Sequence, residues 1–406
     1  MNAATVQVQD AVIIGGGMIG ATAACALARR GLRVTVVEAR KLDFSFAAEA
    51  DYDLRVSAIS PGTEMILRAV GAWPAIEATR VCPYRQMTVW DAEGFGEIHF
   101  ESAQMNEPCL GFIIENRVIQ RALMERMKDL DEITLRCPHA LRGFDVRENG
   151  IAVELESGEQ IQARLLIGAD GSNSRVRSLA GIVFNAREYR QRAVVATVAT
   201  ELPHAYTAWQ CFLSDGVLAF LPLADGRCSI VWSTSEQRAQ SLTTMDDDGF
   251  CDALTQAFNS RLGRILATGR RASFPLRGGQ ATPYVLPRLA LIGDAAHGIH
   301  PLAGQGANLG FADTAVLAEI LTRTSRDIGS LRVLRQYERA RKGENVAMMR
   351  AMEGFKWLFG NQMLPVRWLR NVGLALCDAA TPVKRELMRH AMGLSAERPR
   401  PVRGFS

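Results

Sequence analysis

The chain has 406 residues and a mass of 44.5 kDa, a length that suggests two or three domains at about 150 residues each. Hydrophobic residues make up 48% and charged residues 22%, which excludes a disordered, collagen-like or coiled-coil chain. Lys and Arg total 47 against 43 Asp and Glu, but from Leu331 to Ser406 there are 15 basic and 6 acidic residues, so a mildly acidic body carries a basic carboxyl end.

No apolar run approaches the ~18 residues of a membrane helix. Met1 to Asp10 has neither Lys nor Arg and no apolar stretch, so it does not read as a secretory signal, and a cytoplasmic location is expected. The eight cysteines are scattered, with no C-x-x-C and no histidine at zinc-ligand spacing, so reduced thiols and no metal are expected. No nucleic-acid partner is expected.

Asp10 to Ile14 is a short apolar run that reads as a buried parallel strand. Gly15-x-Gly17-x-x-Gly20 follows, then an Ala- and Leu-rich helix to Arg30, stopped by Gly31. Leu32 to Val37 is a second strand ending at Glu38. In this β-α-β setting the first glycine permits the tight turn, the second lets backbone approach a pyrophosphate, and the third lets helix pack on strand. The helix N-terminus offers free N–H groups to the phosphates, and Glu38 is placed to accept from ribose hydroxyls. The motif does not by itself separate NAD from FAD; that it opens the chain and no second one follows fits a tightly held flavin without a separate nicotinamide domain.

Downstream, Leu165 to Ile167 leads into Gly168-Ala169-Asp170-Gly171-Ser172, and Leu289 to Ile292 into Gly293-Asp294-Ala295-Ala296-His297. Between them, Gln191–Thr200, Val217–Leu223 and Ser229–Ser233 are β-like, with turns at Asp215-Gly216 and Asp225-Gly226. After Gln305 the chain reads as helical nearly to its end, broken at Pro365 and Pro382, with an apolar stripe from Met348 to Phe359 and a frayed tail from Arg398. The fold class is α/β: a Rossmann-like FAD-binding domain (1–80, 105–182, 285–330), an inserted, mainly antiparallel β-sheet substrate domain (81–104, 183–284) and a helical C-terminal region (331–406).

Gly304-Gln305-Gly306-Ala307-Asn308 opens a helix whose first N–H groups can stabilise negative charge on a reduced flavin. With Glu38, Gly168-Ala169-Asp170-Gly171 and Gly293-Asp294, this set resembles the fingerprints of para-hydroxybenzoate hydroxylase-like flavoprotein monooxygenases. Arg55-Val56-Ser57-Ala58-Ile59, Glu115-Asn116, Phe220-Leu221-Pro222-Leu223, the string from His300 to Gly310 and Ala391-Met392-Gly393-Leu394 are similar to the ubiquinone-biosynthesis hydroxylases. The resemblance covers almost the whole chain.

That resemblance implies FAD as cofactor, NADPH or NADH as co-substrate and O₂ as oxidant. Gly15, Gly17 and Gly20 would surround the FAD pyrophosphate, with Glu38 on the adenosine ribose. Arg55 and Gln120 would reach the cofactor. Asp170 would lie at the pyrophosphate and serve NAD(P)H binding, and Asp294 would hold the ribityl chain. Gly306, Ala307 and Asn308 would present backbone to the flavin edge. A flavin C4a-hydroperoxide would then be attacked by an electron-rich ring, with water excluded.

His300, beside the flavin, is the candidate acid–base group, with a backbone hydrogen-bonding role as its plain alternative. His297 reads as structural. Trp209, Gln210, Phe212, Phe220, Leu221, Pro222 and Trp232 are candidates to wall an apolar substrate pocket, with Pro301 beside it. The expected reaction is hydroxylation of a polyprenylated phenol or benzoquinol in ubiquinone biosynthesis, leaning to a 2-polyprenylphenol. The alternatives are a monooxygenase of a small soluble phenol and a non-catalytic flavoprotein component of a quinone-biosynthesis assembly. The basic, apolar C-terminal region would give peripheral contact with the inner face of the membrane, or dock on other quinone-biosynthesis proteins.

Overall fold

The computed structural model describes residues 8–41, 51–298, 306–361, 363, 370–373, 376, 378 and 380–394. The amino-terminal half contains β1 (Gln9–Ile14), α1 (Met18–Ala28), β2 (Val34–Val37), β3 (Val56–Ile59), α2 (Pro61–Val70), α3 (Trp73–Glu77), β4 (Cys82–Tyr84), β5 (Gln86–Asp91), β6 (Glu97–Glu101), β7 (Gly111–Glu115), α4 (Asn116–Lys128), β8 (Ile133–Arg136), β9 (Leu141–Arg147), β10 (Gly150–Leu155), β11 (Gln160–Gly168) and α5 (Arg175–Leu179). The second half contains β12 (Val183–Thr200), β13 (Thr207–Leu213), β14 (Gly216–Pro222), β15 (Cys228–Ser235), α6 (Glu236–Thr244), α7 (Asp247–Ala257), β16 (Ile265–Thr268), β17 (Ala272–Thr282), β18 (Val285–Leu286), β19 (Leu289–Leu291), β20 (His297–Gly298), α8 (Gly306–Arg323), α9 (Leu331–Gly360) and α10 (Thr381–Ala391).

The strands form three sheets. The first runs β18-β19-β11-β1-β2-β8, parallel from β19 to β8, with the β9–β10 hairpin added antiparallel to β11. Its centre is buried on both faces, so Ala11, Val12, Ile13 and Ile14 are apolar without alternation. Helix α1 packs on it, and the chain leaves that helix through Gly31 at φ +80°, a left-handed position that suits glycine. The second sheet runs β20-β17-β12-β15-β14-β13-β5-β6, with β16 on β12. It is antiparallel except where β13 and β5 run parallel. The third sheet is small, in the order β3-β7-β4.

Local chemistry sets the helix starts. Ser60 accepts the Thr63 N–H at 3.3 Å ahead of Pro61, and Asp246 accepts the Gly249 N–H at 2.9 Å at the start of α7.

Pro382 lies in the first turn of α10 and so starts a helix rather than breaking one, whereas Pro365 and the tail from Arg398 lie outside the described residues. The apolar stripe of α9 divides: Phe359 is buried, Met348, Met349, Met352 and Leu358 are half-buried, and Phe355 and Trp357 are exposed. Arg370 ties down the end of α9. It donates to the Phe359 carbonyl at 2.8 Å and to Asp91 of β5 at 2.7 Å, with both side chains buried. Among the described residues, no helix is long and apolar enough to cross a membrane and no acid, His and Cys cluster could hold a metal.

Candidate active site

Three loops converge at the carboxyl ends of β1, β11 and β19, where an open parallel sheet presents ligand sites. In the first, Gly15 has φ +106°, and a Cβ there would lie 2.4 Å from the Ala169 carbonyl oxygen. A Cβ on Gly20 would lie 1.9 Å from the Gly15 carbonyl oxygen. A Cβ on Gly17 would meet nothing within 4 Å, and no side chain caps α1 there. The turn is therefore closed on its protein side and open above the helix N-terminus, as a pyrophosphate requires. Glu38 accepts the Gly16 N–H at 2.8 Å through Oε2 and the Arg40 N–H at 2.9 Å through Oε1. Each oxygen keeps a lone pair for a ribose hydroxyl. The cradle fits FAD.

In the second loop, Asp170 accepts from Ser174 Oγ at 2.5 Å and from the N–H groups of Arg175 and Val176 at 2.7 and 3.0 Å. Its carboxylate is engaged in starting α5. Arg177, which the motifs did not flag, is buried and donates to the carbonyls of Ser172 and Ala295 at 2.7 and 2.8 Å. It lies on the Phe184 ring at 4.0 Å and ties the second loop to the third.

The third loop, Gly293–Ala295, turns through φ +58° at Gly293. Asp294 opens onto the cleft; the protein around it pushes its carboxyl above the usual range, while the charges of His297 and Arg55 draw it back. Arg55 lies over the Phe274 ring at 4.7 Å, which brings β17 of the second sheet to the same cleft.

A buried polar cluster supports this loop from behind. Asp313 of α8 accepts from the Gly293 N–H at 3.1 Å and from His297 Nε2 at 2.5 Å on one oxygen. Its other oxygen accepts from Arg341 Nε of α9 at 2.8 Å. Burial alone would raise the Asp313 carboxyl; His297 and Arg341 outweigh it and hold it at about 2. His297 is thus a structural partner, as its sequence context suggested.

Asn308, buried at the start of α8, accepts the Ser60 N–H at 3.1 Å and donates to the Ala58 carbonyl at 2.8 Å, so its side chain pins α8 to the small sheet. Gly306 and Ala307 are half-buried in the first turn of α8. Gln120 is half-buried on α4. His300 and Pro301 lie outside the described residues.

The second sheet has two faces, and they divide the predicted pocket residues. Trp209, Phe220 and Trp232 pack with Phe250, Leu254 and Phe258 under α6 and α7. Pro222, paired with Cys228, shares that face. These four therefore belong to a core closed by helices, not to the cleft. The other face, one residue out of step, carries Gln210, Phe212, Val217, Ala219, Leu221 and Val231. It is the face to which Phe274 belongs by pairing through Ala193, Ser233 and Val217, so it faces Arg55 and the cofactor loops. Of the predicted wall, Gln210, Phe212 and Leu221 lie on this side, with Phe212 stacked on Phe359 of α9 at 3.7 Å between ring centroids. The signal that separates the faces was the pairing register, which the sequence does not print.

A family model described as "FAD binding domain" matches residues 8–352. Among curated proteins, the chain is 39% identical to the 3-demethoxyubiquinol 3-hydroxylase of Escherichia coli over 96% of its own length and all of the relative's. It is 38% identical to the ubiquinone biosynthesis monooxygenase COQ6 of Xenopus tropicalis, covering 95% and 93% of the two chains. To the ubiquinone hydroxylase UbiL of Rhodospirillum rubrum it is 36% identical over 98% and 93%. Among solved structures, the FAD-dependent monooxygenase pqsL of Pseudomonas aeruginosa superposes with a TM-score of 0.76 at 23% identity, over 91% of this chain and 99% of that one. The p-nitrophenol 4-monooxygenase PnpA of Pseudomonas putida gives 0.77 at 19% over 97% and 99%. These two share the fold. The chain belongs to the FAD binding domain family and, within it, to the ubiquinone-biosynthesis hydroxylases, which are FAD-dependent monooxygenases.

Proposed function

We propose that the enzyme hydroxylates the ring of a polyprenylated benzoquinol or phenol on the route to ubiquinone, with NADPH or NADH as electron donor and O₂ as oxidant. The observation that carries this reading is the full-length, 39% identity to an enzyme named for 3-demethoxyubiquinol. It supports a demethoxyubiquinol-type benzoquinol over the 2-polyprenylphenol to which the sequence motifs lean.

FAD, when bound, supplies hydride acceptance and oxygen activation. The chain's own residues do the rest. The α1 N-terminus and Gly17 would receive the pyrophosphate, Glu38 the ribose hydroxyls and Asp294 the ribityl chain, and Arg55 would add positive charge to the same cleft. The inner face of the second sheet offers an apolar wall that keeps bulk water from the reacting ring. A substrate with a prenyl tail partitions into a bilayer, and the basic C-terminal region with its exposed Phe355, Trp357, Met363 and Leu387 suits peripheral membrane contact.

Mass spectrometry of lipids from a deletion strain grown in air tests the reading. Loss of ubiquinone with build-up of a prenylated ring one oxygen short is the expected result. A demethoxyubiquinol mass favours the benzoquinol step, a prenylphenol mass the earlier one, and unchanged ubiquinone with no new intermediate counts against the pathway.

A further inference from the structure

The inner face of the second sheet is arranged in rows of paired residues. The central row crosses β12, β15, β14, β13 and β5 as Val195, Val231, Ala219, Gln210 and Val89. On one flank, Leu221 and Ala208 join a cluster with Tyr84, Ile113 and Met388. On the other, Phe212 and Val89 pack with Phe359 of α9. Between these covers Val217, Ala219, Leu221 and Val231 stay half-exposed. They form the apolar floor of a trough whose β17 edge reaches Phe274 and Arg55.

Gln210 is the exception on this floor. It is 6% exposed, and its amide makes no hydrogen bond with any described residue. Alternation with Trp209 and Cys211, which point into the helix-covered core, sends its side chain to the trough side. Its amide atoms are not among the sealed, unpartnered polar atoms of the described residues, so they keep access to the trough and have no protein bond to give up when a ligand arrives. Such a group on a wall open to the cofactor cleft is a group waiting for a ligand.

The chemistry of that ligand follows from what surrounds the amide. An amide both donates and accepts, so it suits a hydroxyl or an ether oxygen. No Arg or Lys stands in the central row or in the paired rows beside it on β13, β14 and β15. A ring carboxylate beside Gln210 would find no free counter-charge among the described residues of these rows, because Arg55 stands at the β17 edge four strands away and Arg370 is committed to Asp91, and desolvating it would be unfavourable. We propose that Gln210 is a specificity-determining residue that hydrogen-bonds a neutral oxygen substituent, a hydroxyl or methoxyl, on the substrate's ring. This rests on the ring-hydroxylase reading above and narrows it to rings that carry oxygen but no carboxylate.

The test uses the FAD-loaded, full-length enzyme and three variants. Gln210→Met keeps the length and removes the hydrogen-bonding atoms; Gln210→Leu does so with a shorter chain; Gln210→Glu keeps the shape and adds charge. The probes are a monoprenylated phenol and a monoprenylated methoxybenzoquinol. For Gln210→Met and Gln210→Leu we expect unchanged FAD content and a melting temperature close to that of the wild type, since the amide makes no hydrogen bond with any described residue. Binding of the probes, followed by perturbation of the flavin spectrum, should weaken ten- to hundredfold. kcat/KM should fall in step, and more NAD(P)H should end as peroxide. Gln210→Glu should bind the probes more weakly still.

Probe binding and kcat/KM within twofold of the wild type in Gln210→Met would overturn the proposal. So would a melting temperature that falls together with FAD content, because the amide would then be a structural bond. A wild-type enzyme that keeps its FAD but neither binds nor oxidises the two probes removes the substrate reading itself, and the Gln210 proposal with it.

Discussion

A methyl group added at Gly17 and one added at Gly20 meet opposite surroundings. At Gly20 it would lie 1.9 Å from a backbone oxygen, so the turn or the helix must shift. At Gly17 it meets open space, where a phosphate is received. Gly20→Ala is therefore expected to cost the apoprotein ~1–3 kcal/mol through overpacking. Gly17→Ala should leave apoprotein melting unchanged and weaken FAD binding at least tenfold. Melting of the apoproteins beside a cofactor titration checks this, and equal losses of stability in both variants would contradict it. At this scale, what was legible in the sequence was local: the glycine turn, Glu38 at a strand end and Asp294 after a strand. Arg177 was not, because its partner carbonyl at Ala295 lies 118 residues away and nothing near Arg177 announces it.

Among elements, α9 does more than cover a sheet. Its Arg341 meets Asp313 in full burial, and Asp313 in turn holds the Gly293 N–H and His297. Arg341→Met would leave Asp313 buried without its cation, a loss of ~3–5 kcal/mol. Thermal melting should show it, together with weaker FAD retention. An unchanged melting temperature would mean that the pair is not formed in solution.

The same carboxyl gives an acid-side prediction. Its folded value of about 2 lies below the ordinary 3.8. The stability it contributes is therefore fully present above about pH 4 and is lost as the pH falls toward 2. Melting curves from pH 5 to 2.5 should show this steepening, and Asp313→Asn should flatten it. The strands of the second sheet were legible as strands, since their apolar composition and turn residues are local. Their faces were not: both faces of β13 and β14 are largely apolar, so period-two alternation gave little contrast there, and most of the larger aromatics sat on the closed face.

At the scale of the molecule, the segment with the excess of basic residues also carries exposed apolar ones. The basic carboxyl-terminal part leaves Phe355, Trp357, Met363, Leu376, Val383 and Leu387 exposed, more than other segments of similar length. If that surface meets an anionic bilayer, flotation with anionic vesicles should carry the protein upward at low salt and less so as ionic strength rises. Trp357→Ser with Leu387→Ser should reduce the floated fraction severalfold while FAD content stays constant. Equal flotation on neutral vesicles, or an unaffected double variant, would argue for docking on proteins instead. The three glycine-bearing strand ends that meet in the first sheet were readable from local sequence. The anchoring of the C-terminal region was not, because Arg370 and Asp91 are 279 residues apart.

Helix α9 runs 30 residues, about 45 Å. Its first half is fastened behind the Gly293 loop at Arg341, and its last turn lays Phe359 against Phe212 on the inner face of the second sheet. For protein engineering this fixes where two related hydroxylases can be spliced. A junction in the turn before Leu331 would import a foreign Arg341 and Asn345 to face the resident Asp313, coupling a change of substrate preference to a damaged flavin site. A junction after Asn345 leaves that fastening with its own partners and exchanges only the half of the helix that meets the second sheet. Chimeras cut there should keep their yellow colour.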